Sequence, residues 1–239
     1  MIDGQTMTAG SYDELWRTTW GDIQRYGPVH RHTLEGLVRT VASLDVRTVL
    51  DVGCGSGDNL AALAATGKYE LTGLDISEAA LALARQRVSS ARLLQADIQT
   101  EALAEQFDLV MSVQVVEHLL DDTTALKNMA ALAKKYLFVS TMQGRMRKSE
   151  LAIGHVRNYS AVELRRKLES AGLEVIQTTG WGFPFYSPLY RSISEFFPGG
   201  PPSGPVGSVG KLGAKLLYHL YRLNLSGRGD VLSALAKRP

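Results

Sequence analysis

From residue 46 onward, short runs rich in Val, Leu and Ile alternate with amphipathic stretches rich in Ala and Leu, and this alternation indicates the fold class. The runs that predict strands are 46–52, 69–76, 91–98, 107–116, 136–142, 173–180 and 230–238. The stretches that predict helices are 11–26, about 29–44, 59–66, 78–88, 121–135, 161–172 and 211–223. Strands and helices that alternate through short loops predict an α/β fold, a Rossmann-like doubly wound sheet of seven strands.

Two regions depart from this alternation and suggest how the chain is organised. Residues 1–45 contain only helical patterns, with Ser11 and Glu14 spaced as a capping box, and predict an N-terminal helical cap. Residues 181–228 predict an insertion or lid on the substrate side, because they begin aromatic, pass through a Pro/Gly-rich stretch and end in a basic amphipathic helix. The core is then 46–180 plus 229–239.

Charge divides the chain unevenly and bears on the choice of partner. The whole chain has 26 basic and 24 acidic residues, a net charge of +2. The last 41 residues carry six basic residues and one acid, or +5, so the first 198 carry 20 basic and 23 acidic residues, or −3. An acidic body argues against a nucleic-acid partner. We expect the basic helix 211–223 to pack on the domain with its lysines outward, and contact with a membrane surface is the less favoured alternative.

Other bulk features narrow the class of protein. A single cysteine, Cys54, excludes an intramolecular disulfide and a cysteine-based zinc site. The sequence shows no signal peptide and no uninterrupted apolar run of about 18 residues, so we expect a cytoplasmic protein.

The segment VLDVGCGSGDNL, residues 49–60, is the strongest chemical signal. Its glycines, which let a ligand approach the backbone between a strand and a helix, are Gly53, Gly55 and Gly57. Asp58 at the helix start would repel a pyrophosphate, and Asp51 likewise suits a cationic ligand.

Two further carboxylates come at or near strand ends. Asp75 can accept hydrogen bonds from ribose hydroxyls, and Asp97 with Ile98 offers an acceptor and an apolar wall to an amino-purine. The site therefore suits an adenosine with a positively charged tail that carries no phosphate.

Taken together, these motifs resemble the class I S-adenosylmethionine-dependent methyltransferases, in their small-molecule branch. The matching segments are VLDVGCGSG, LTGLDIS, LLQADI, FDLVMSVQVVEHL and GHVRNYSAVELRRKLESAGLEV. The resemblance implies S-adenosylmethionine as cofactor, S-adenosylhomocysteine as product, and a last strand antiparallel to its neighbours. The contacts it implies are Gly53, Cys54 and Gly55 for the methionine part, Asp75 and Ile76 for the ribose, Asp97 and Ile98 for the adenine, and the backbone near Val113 and Gln114 for the ammonium.

Two histidines are the candidates for catalysis. His118 follows the fourth strand in a Glu-His pair that similar methyltransferases often carry at the rim of the active site. His155 lies in the loop after the fifth strand, which overhangs the methyl group in this fold. Each could accept a proton at neutral pH, and each could instead have only a structural role. We expect no metal site, although His118, His155 and an acidic residue could together bind a metal ion.

Other residues are candidates for binding the substrate. They are Tyr159, Trp181, Phe183 and the basic Arg145. We expect an SN2 transfer of a methyl group to an oxygen, or else a nitrogen or carbon, of a small molecule. The alternatives are a methyltransferase for a lipid or isoprenoid intermediate at a membrane surface and a non-catalytic cofactor-binding subunit.

Overall fold

A computed structural model of the chain, which describes residues 7–20, 25–101, 103–193 and 206–239, contains one central sheet. Its strand order is β3-β2-β1-β4-β5-β8-β6-β7. The strands are β1 Thr48–Val52, β2 Glu70–Asp75, β3 Arg92–Gln95, β4 Phe107–Val113, β5 Ala133–Met142, β6 Glu174–Phe183, β7 Leu225–Ser226 and β8 Val231–Lys237. Strands β1 to β5 pair in parallel, and β8 runs antiparallel to both β5 and β6. The expected Rossmann-like sheet with an antiparallel last strand is confirmed.

The helices of the described residues follow the predicted order. They are α1 Ala9–Leu15, continued by a π-helical turn Trp16–Trp20, then α2 Pro28–Ala42, α3 Asp58–Ala64, α4 Glu78–Arg87, α5 Asp122–Leu132, α6 Lys148–Ala152, α7 Ala161–Ser170 and α8 Ser208–Tyr221. Short turns Val116–His118, Phe185–Tyr190 and Arg191–Ile193 connect some of them. Residues 21–24, which belong to the predicted helix 11–26, lie outside the described residues.

The following details are among those that differ from the sequence expectations. The sheet has eight strands instead of seven, because Leu225–Ser226 adds a two-residue edge strand to β6. The first helix begins earlier, because Thr8 caps it and forms the capping box with Ser11, which leaves Glu14 inside the helix. Strand β5 begins at Ala133, three residues earlier than predicted, directly after α5.

Apolar side chains pack in two layers, one on each face of the sheet. On one face, α5 and α7 contribute Leu126, Met129, Leu164 and Leu168 to a core with β1 and β4. On the other face, α2, α3 and α4 contribute Leu37, Val41, Leu60, Leu63 and Leu81. This double layer explains why the strands read as nearly continuous apolar runs.

The region between β6 and β8 has its own small cluster, which contains Tyr186 and Tyr221 beside Met142 and Val231. Helix α8 contacts α2 through its inner face, and its leucines Leu212, Leu216, Leu220 and Leu223 are exposed. The helix packs on the domain with its lysines outward, as expected, because Leu217 and Tyr221 occupy the inner face while Lys211 and Lys215 are exposed. In the described ranges, no helix is both long enough and apolar enough to span a membrane.

Candidate active site

A cavity of about 690 Å³ opens at the carboxyl ends of β1, β2 and β4. Parallel strands bring their carboxyl ends to one edge of the sheet, and this is where ligands bind in open α/β folds. Eleven sequence-predicted residues line it: Gly53, Cys54, Gly55, Asp75, Ile76, Asp97, Ile98, Val113, Gln114, His118 and His155. The described lining residues include Asp58, Asp75 and Asp97 but no Lys or Arg, so the walls suit a cationic ligand.

The glycine turn after β1 forms one wall of the cavity. Gly53 and Gly55 have φ angles of +70° and +54°, in the left-handed region that favours glycine. A Cβ on Gly53 would lie 2.4 Å from a methyl of Val115, and one on Gly55 would lie 2.5 Å from the Trp16 ring. Neither glycine can therefore be replaced by a residue with a side chain without a clash. Gly57 is the N-cap of α3 and packs against Ala84 and Val88. It does not line the cavity.

The two carboxylates at strands β2 and β3 are held by backbone N–H groups. Asp75, the last residue of β2, accepts hydrogen bonds from the Gly55 N–H at 2.8 Å and the Ser77 N–H at 2.9 Å. Asp97 lies two residues beyond β3 and accepts from the Gln99 N–H at 2.9 Å. Each carboxylate oxygen has two lone pairs, so these carboxylates retain acceptor capacity toward ligand hydroxyl and amino groups.

Asp51 lies inside β1 rather than at its end and does not line the cavity. Its side chain is fully buried, Oδ2 accepts a hydrogen bond from Asn59 Nδ2 at 3.3 Å, and Oδ1 has no partner. Burial raises the pKa of Asp51 to about 8. The carboxyl therefore remains largely protonated at neutral pH in the ligand-free protein.

This shift predicts how stability depends on pH. Because the folded-state pKa exceeds the unfolded value of about 3.9, the contribution of Asp51 is full below about pH 4 and is lost as pH rises toward 8. The Asp51→Asn variant cannot ionise. We expect the variant's free energy of unfolding minus that of the wild type to increase by about 1.4 kcal/mol per pH unit from pH 6 to 8. Above that range the difference should level off. Urea unfolding of both ligand-free proteins at pH 6, 7, 8 and 9 measures this, and a difference independent of pH would contradict it.

Gln114, directly after β4, has an unusual backbone conformation. It has a φ of +58°, the only positive φ at a non-glycine position in the described ranges. Its N–H donates to the Ser140 carbonyl at 2.8 Å, and its side-chain Nε2 is buried without a partner. Strained backbone of this kind persists where a site needs it, and here it lies on the cavity wall beside Val113.

His118 and His155 meet on the wall of the cavity, although they come from different loops. Their rings lie 4.5 Å apart in an edge-to-face arrangement, and the Nδ1 atom of each is buried without a partner. Burial lowers the pKa of His118 to about 3 and that of His155 to about 4. Both imidazoles are therefore neutral at physiological pH, with a nitrogen lone pair available.

Glu117 lies beneath this pair and does not line the cavity. Its Oε2 accepts a hydrogen bond from the Thr141 hydroxyl at 2.8 Å, and its Oε1 has no partner. One ligand atom each from Glu117, His118 and His155 lies within 4.8 Å of the others, a spacing that could also hold a metal ion. The expectation of no metal stays a prediction.

Glu150 organises the loop that carries His155. Its carbonyl accepts from the His155 N–H at 3.0 Å, and its Oε2 accepts from Asn158 Nδ2 at 3.0 Å and from the Arg147 N–H at 2.9 Å. Its Oε1 pairs with Arg191, which also pairs with Asp230 at the start of β8. The loop is thus fixed to the segment after β6 and to the last strand.

The N-terminal helix covers the glycine turn, which sequence spacing does not reveal. Tyr12, Trp16 and Trp20 line the cavity, and Tyr12 and Trp20 lie 6.3 and 6.0 Å from the His118 ring. Asp13 accepts hydrogen bonds from the Ser77 hydroxyl and, at 3.0 Å, from the Ala79 N–H at the start of α4. Helix α1 is therefore attached to the core at the edge of the site.

The sequence analysis also missed two polar residues of the wall. His30 and Asn59 line the cavity, and His30 Nε2 and Asn59 Oδ1 are buried without partners. Asn59 lies in the segment VLDVGCGSGDNL, and its place in the first turn of the helix that follows the glycine turn was the available signal. His30 belongs to the predicted N-terminal cap, and its approach to the cavity depends on how α2 packs.

Four predicted substrate residues lie outside this cavity: Tyr159, Trp181, Phe183 and Arg145. The buried Tyr159 hydroxyl donates to Asp122 at 2.6 Å, which ties α5 to the start of α7. Trp181 stacks near His32 and Tyr186, and Phe183 lies under the Arg228 guanidinium. These contacts give three of them packing roles in the structure.

Comparisons with known proteins agree with the geometry. Residues 49–136 match a family model described as a methyltransferase domain. The ubiquinone biosynthesis O-methyltransferase of Thiobacillus denitrificans is 28% identical over 205 residues, which cover 75% of this chain and 88% of that protein. The magnesium protoporphyrin IX methyltransferase of Synechocystis PCC 6803 has been solved with S-adenosylhomocysteine and superposes with a TM-score of 0.60 at 17% identity. The superposition covers 88% of this chain and 83% of that protein. The N-methyltransferase NodS of Bradyrhizobium japonicum has a TM-score of 0.58 at 21% identity, with 89% of each chain covered.

Proposed function

We propose that the chain, as a class I S-adenosylmethionine-dependent methyltransferase, methylates an oxygen atom of a small-molecule acceptor, with His155 as the proton acceptor. The observation that carries the proposal is the cavity itself. One part of it has the glycine turn and two hydrogen-bonded carboxylates, and another part has two neutral imidazoles.

The residues present fit the cofactor. Gly53 and Gly55 expose backbone where a Cβ would clash, and Asp75 and Asp97 supply acceptors without any Lys or Arg among the described lining residues. We propose that Asp75 holds the ribose hydroxyls, that Asp97 and Ile98 hold the adenine, and that the backbone of Val113 and Gln114 accepts from the ammonium group. When bound, S-adenosylmethionine supplies an electrophilic methyl group on a sulfonium centre.

His155 is suited to remove the acceptor's proton. Its burial keeps the imidazole neutral, its Nδ1 has no partner, and Glu150 fixes the backbone at this position. His155 lines the cavity, and a hydroxyl within hydrogen-bond reach of a ring nitrogen of the imidazole could transfer its proton while the oxygen attacks the methyl group in line. His118 packs against the ring of His155 and restricts its orientation.

The acceptor is inferred from the walls around the two histidines. Tyr12, Trp16 and Trp20 are aromatic and suit a flat aromatic ring. Ubiquinone biosynthesis, the process in the names of the curated relatives, favours a phenolic precursor of an isoprenoid quinone as the first acceptor to test. An aromatic hydroxyl is also an acceptor whose methylation requires proton removal.

The proposal is tested by incubating the protein with methyl-labelled cofactor and three acceptors: a catechol, a primary amine and an activated carbon acid. We expect the label on the catechol oxygen, identified by mass spectrometry of the product. Faster labelling of the amine or of the carbon acid would overturn the choice of oxygen.

A second expectation concerns the cofactor site. Replacing Asp75 with alanine should weaken S-adenosylhomocysteine binding by roughly 10–150-fold, because hydrogen bonds to a charged group are worth about 1.5–3 kcal/mol. Isothermal titration calorimetry measures it, with Asp75→Asn as a variant that keeps the side-chain size. Glu78→Ala, an exposed carboxylate three residues away, is the control and should bind like the wild type. Unchanged affinity in Asp75→Ala would remove this residue from the site.

A further inference from the structure

Helix α8 presents two different stripes to solvent. Val209, Leu212, Leu216 and Leu220 recur every three or four residues and form an apolar stripe, which Leu223 continues just beyond the end of the helix. Lys211, Lys215, His219 and Arg222 recur with the same spacing and form a basic stripe beside it. Residues three and four apart lie on one face of a helix, so the two stripes run side by side along the outer surface.

The apolar stripe is exposed to a degree that packing on the domain does not explain. Val209 is 87% exposed, Leu216 64% and Leu212 59%. The same helix buries Tyr221 completely and packs Leu217 against the cluster near β8. Single exposed leucines are common on protein surfaces, but a continuous stripe of five apolar residues marks an interaction surface.

The inner face anchors the helix, so the exposed stripe does not result from loose docking. The Tyr218 hydroxyl donates to Glu35 of α2, and a ring nitrogen of His32 lies 2.9 Å from the Tyr218 carbonyl oxygen. The Arg31 guanidinium lies 3.8 Å from the centre of the Tyr218 ring. Rotating the leucines inward would break these contacts with α2.

The charged side chains of the segment that carries the stripe are of one sign. Between residues 206 and 229 the chain has four Lys or Arg residues and no Asp or Glu. A second copy docked on this stripe would bring a like-charged helix against it without an acid from that segment to pair with. A partner that buries the leucines and also neutralises the lysines would match both stripes.

We propose that the outer face of α8 is a docking surface for the anionic surface of a lipid bilayer. The helix would lie in the plane of the membrane, with the apolar stripe between the headgroups and the basic stripe against their phosphates. This inference does not rest on the proposed acceptor or on the transfer reaction, because the surface lies outside the catalytic cavity.

The test is co-sedimentation of the whole chain with vesicles. We expect binding to phosphatidylcholine vesicles that contain about 30% phosphatidylglycerol, weakened by salt and nearly absent with pure phosphatidylcholine. Lys211→Glu with Lys215→Glu should lower the partition coefficient by about tenfold or more, since each basic residue near an anionic surface contributes about fivefold. Leu212→Ser with Leu216→Ser should also abolish most of the binding.

Matched controls separate the stripes from general effects. Lys68→Glu with Lys134→Glu makes the same change in charge at exposed sites elsewhere, and Val162→Ser with Ile176→Ser removes two exposed apolar side chains elsewhere. Both controls should bind vesicles like the wild type. Affinity for S-adenosylhomocysteine verifies the folding of every variant and should not change.

Two outcomes would overturn the proposal. One is a failure of the wild-type chain to sediment with the anionic vesicles at low salt. The other is a dimer in size-exclusion chromatography that Leu212→Ser with Leu216→Ser converts to a monomer while vesicle binding is unaffected, which would assign the stripe to a second copy of the chain.

Discussion

Replacing His155 with alanine is expected to lower the turnover number by roughly 10²–10⁴-fold, the range in which general-base catalysis contributes. The reason is the position of the imidazole: it lines the same cavity as the glycine turn, it has an unpartnered Nδ1, and burial keeps it neutral. Removing it leaves the acceptor hydroxyl without a side chain to take its proton. The affinity for S-adenosylhomocysteine should change little, because Asp75 and the glycine turn are untouched.

Steady-state kinetics with the labelled cofactor and calorimetry with S-adenosylhomocysteine separate these two effects. His219→Ala removes an exposed imidazole of α8, outside the cavity, and serves as the matched control with wild-type turnover. Comparing His118→Ala shows whether the neighbouring ring acts directly or by orienting His155. Wild-type turnover in His155→Ala would remove the proposed base, and a parallel loss of cofactor affinity would assign His155 to binding instead.

Replacing Arg191 with alanine is expected to lower the free energy of unfolding by about 3–5 kcal/mol, as removal of one partner of a buried ion pair typically does. The Arg191 side chain is 4% exposed and pairs with Glu150, which is 10% exposed, and with Asp230, which is 26% exposed. Without the guanidinium, water can reach Asp230, but Glu150 is left as a buried charge without its cation.

Chemical denaturation measures the loss, and the design of the variants identifies its cause. Arg85→Ala, which breaks an exposed pair with Glu78, should lower the free energy of unfolding far less than Arg191→Ala does. Arg191→Leu combined with Glu150→Leu should recover much of the stability, because a buried ion pair can be replaced by apolar side chains at little cost. A double variant as unstable as Arg191→Ala would show that packing, rather than the uncompensated charge, causes the loss.

The sequence predicted the parts of this molecule that depend on local pattern and on topology. The apolar runs gave the strands, and the carboxyl ends of parallel strands meet at one edge, so Asp75, Asp97 and the glycine turn were expected together and line one cavity. His118 and His155 followed from the same rule, since each comes from a loop at that edge.

The contacts that could not be predicted join residues far apart in the chain. Arg191, Glu150 and Asp230 belong to three different segments, and no spacing links them. Asp13 reaches Ser77 across 64 positions. For α8, the period of the leucines predicts that they share a face, but the period does not tell which face the domain covers.

The attachment of α1 has a kinetic consequence. Trp16 covers Gly55, while Asp13 binds the start of α4 one turn of helix away. Trp16 and Gly55 line the same cavity, so a ligand bound at the glycine turn would also contact the indole, whose position is held by the hydrogen bonds of Asp13 to Ser77 and Ala79. We therefore expect changes to this seven-residue helix to alter the rate of product release more than the rate of transfer.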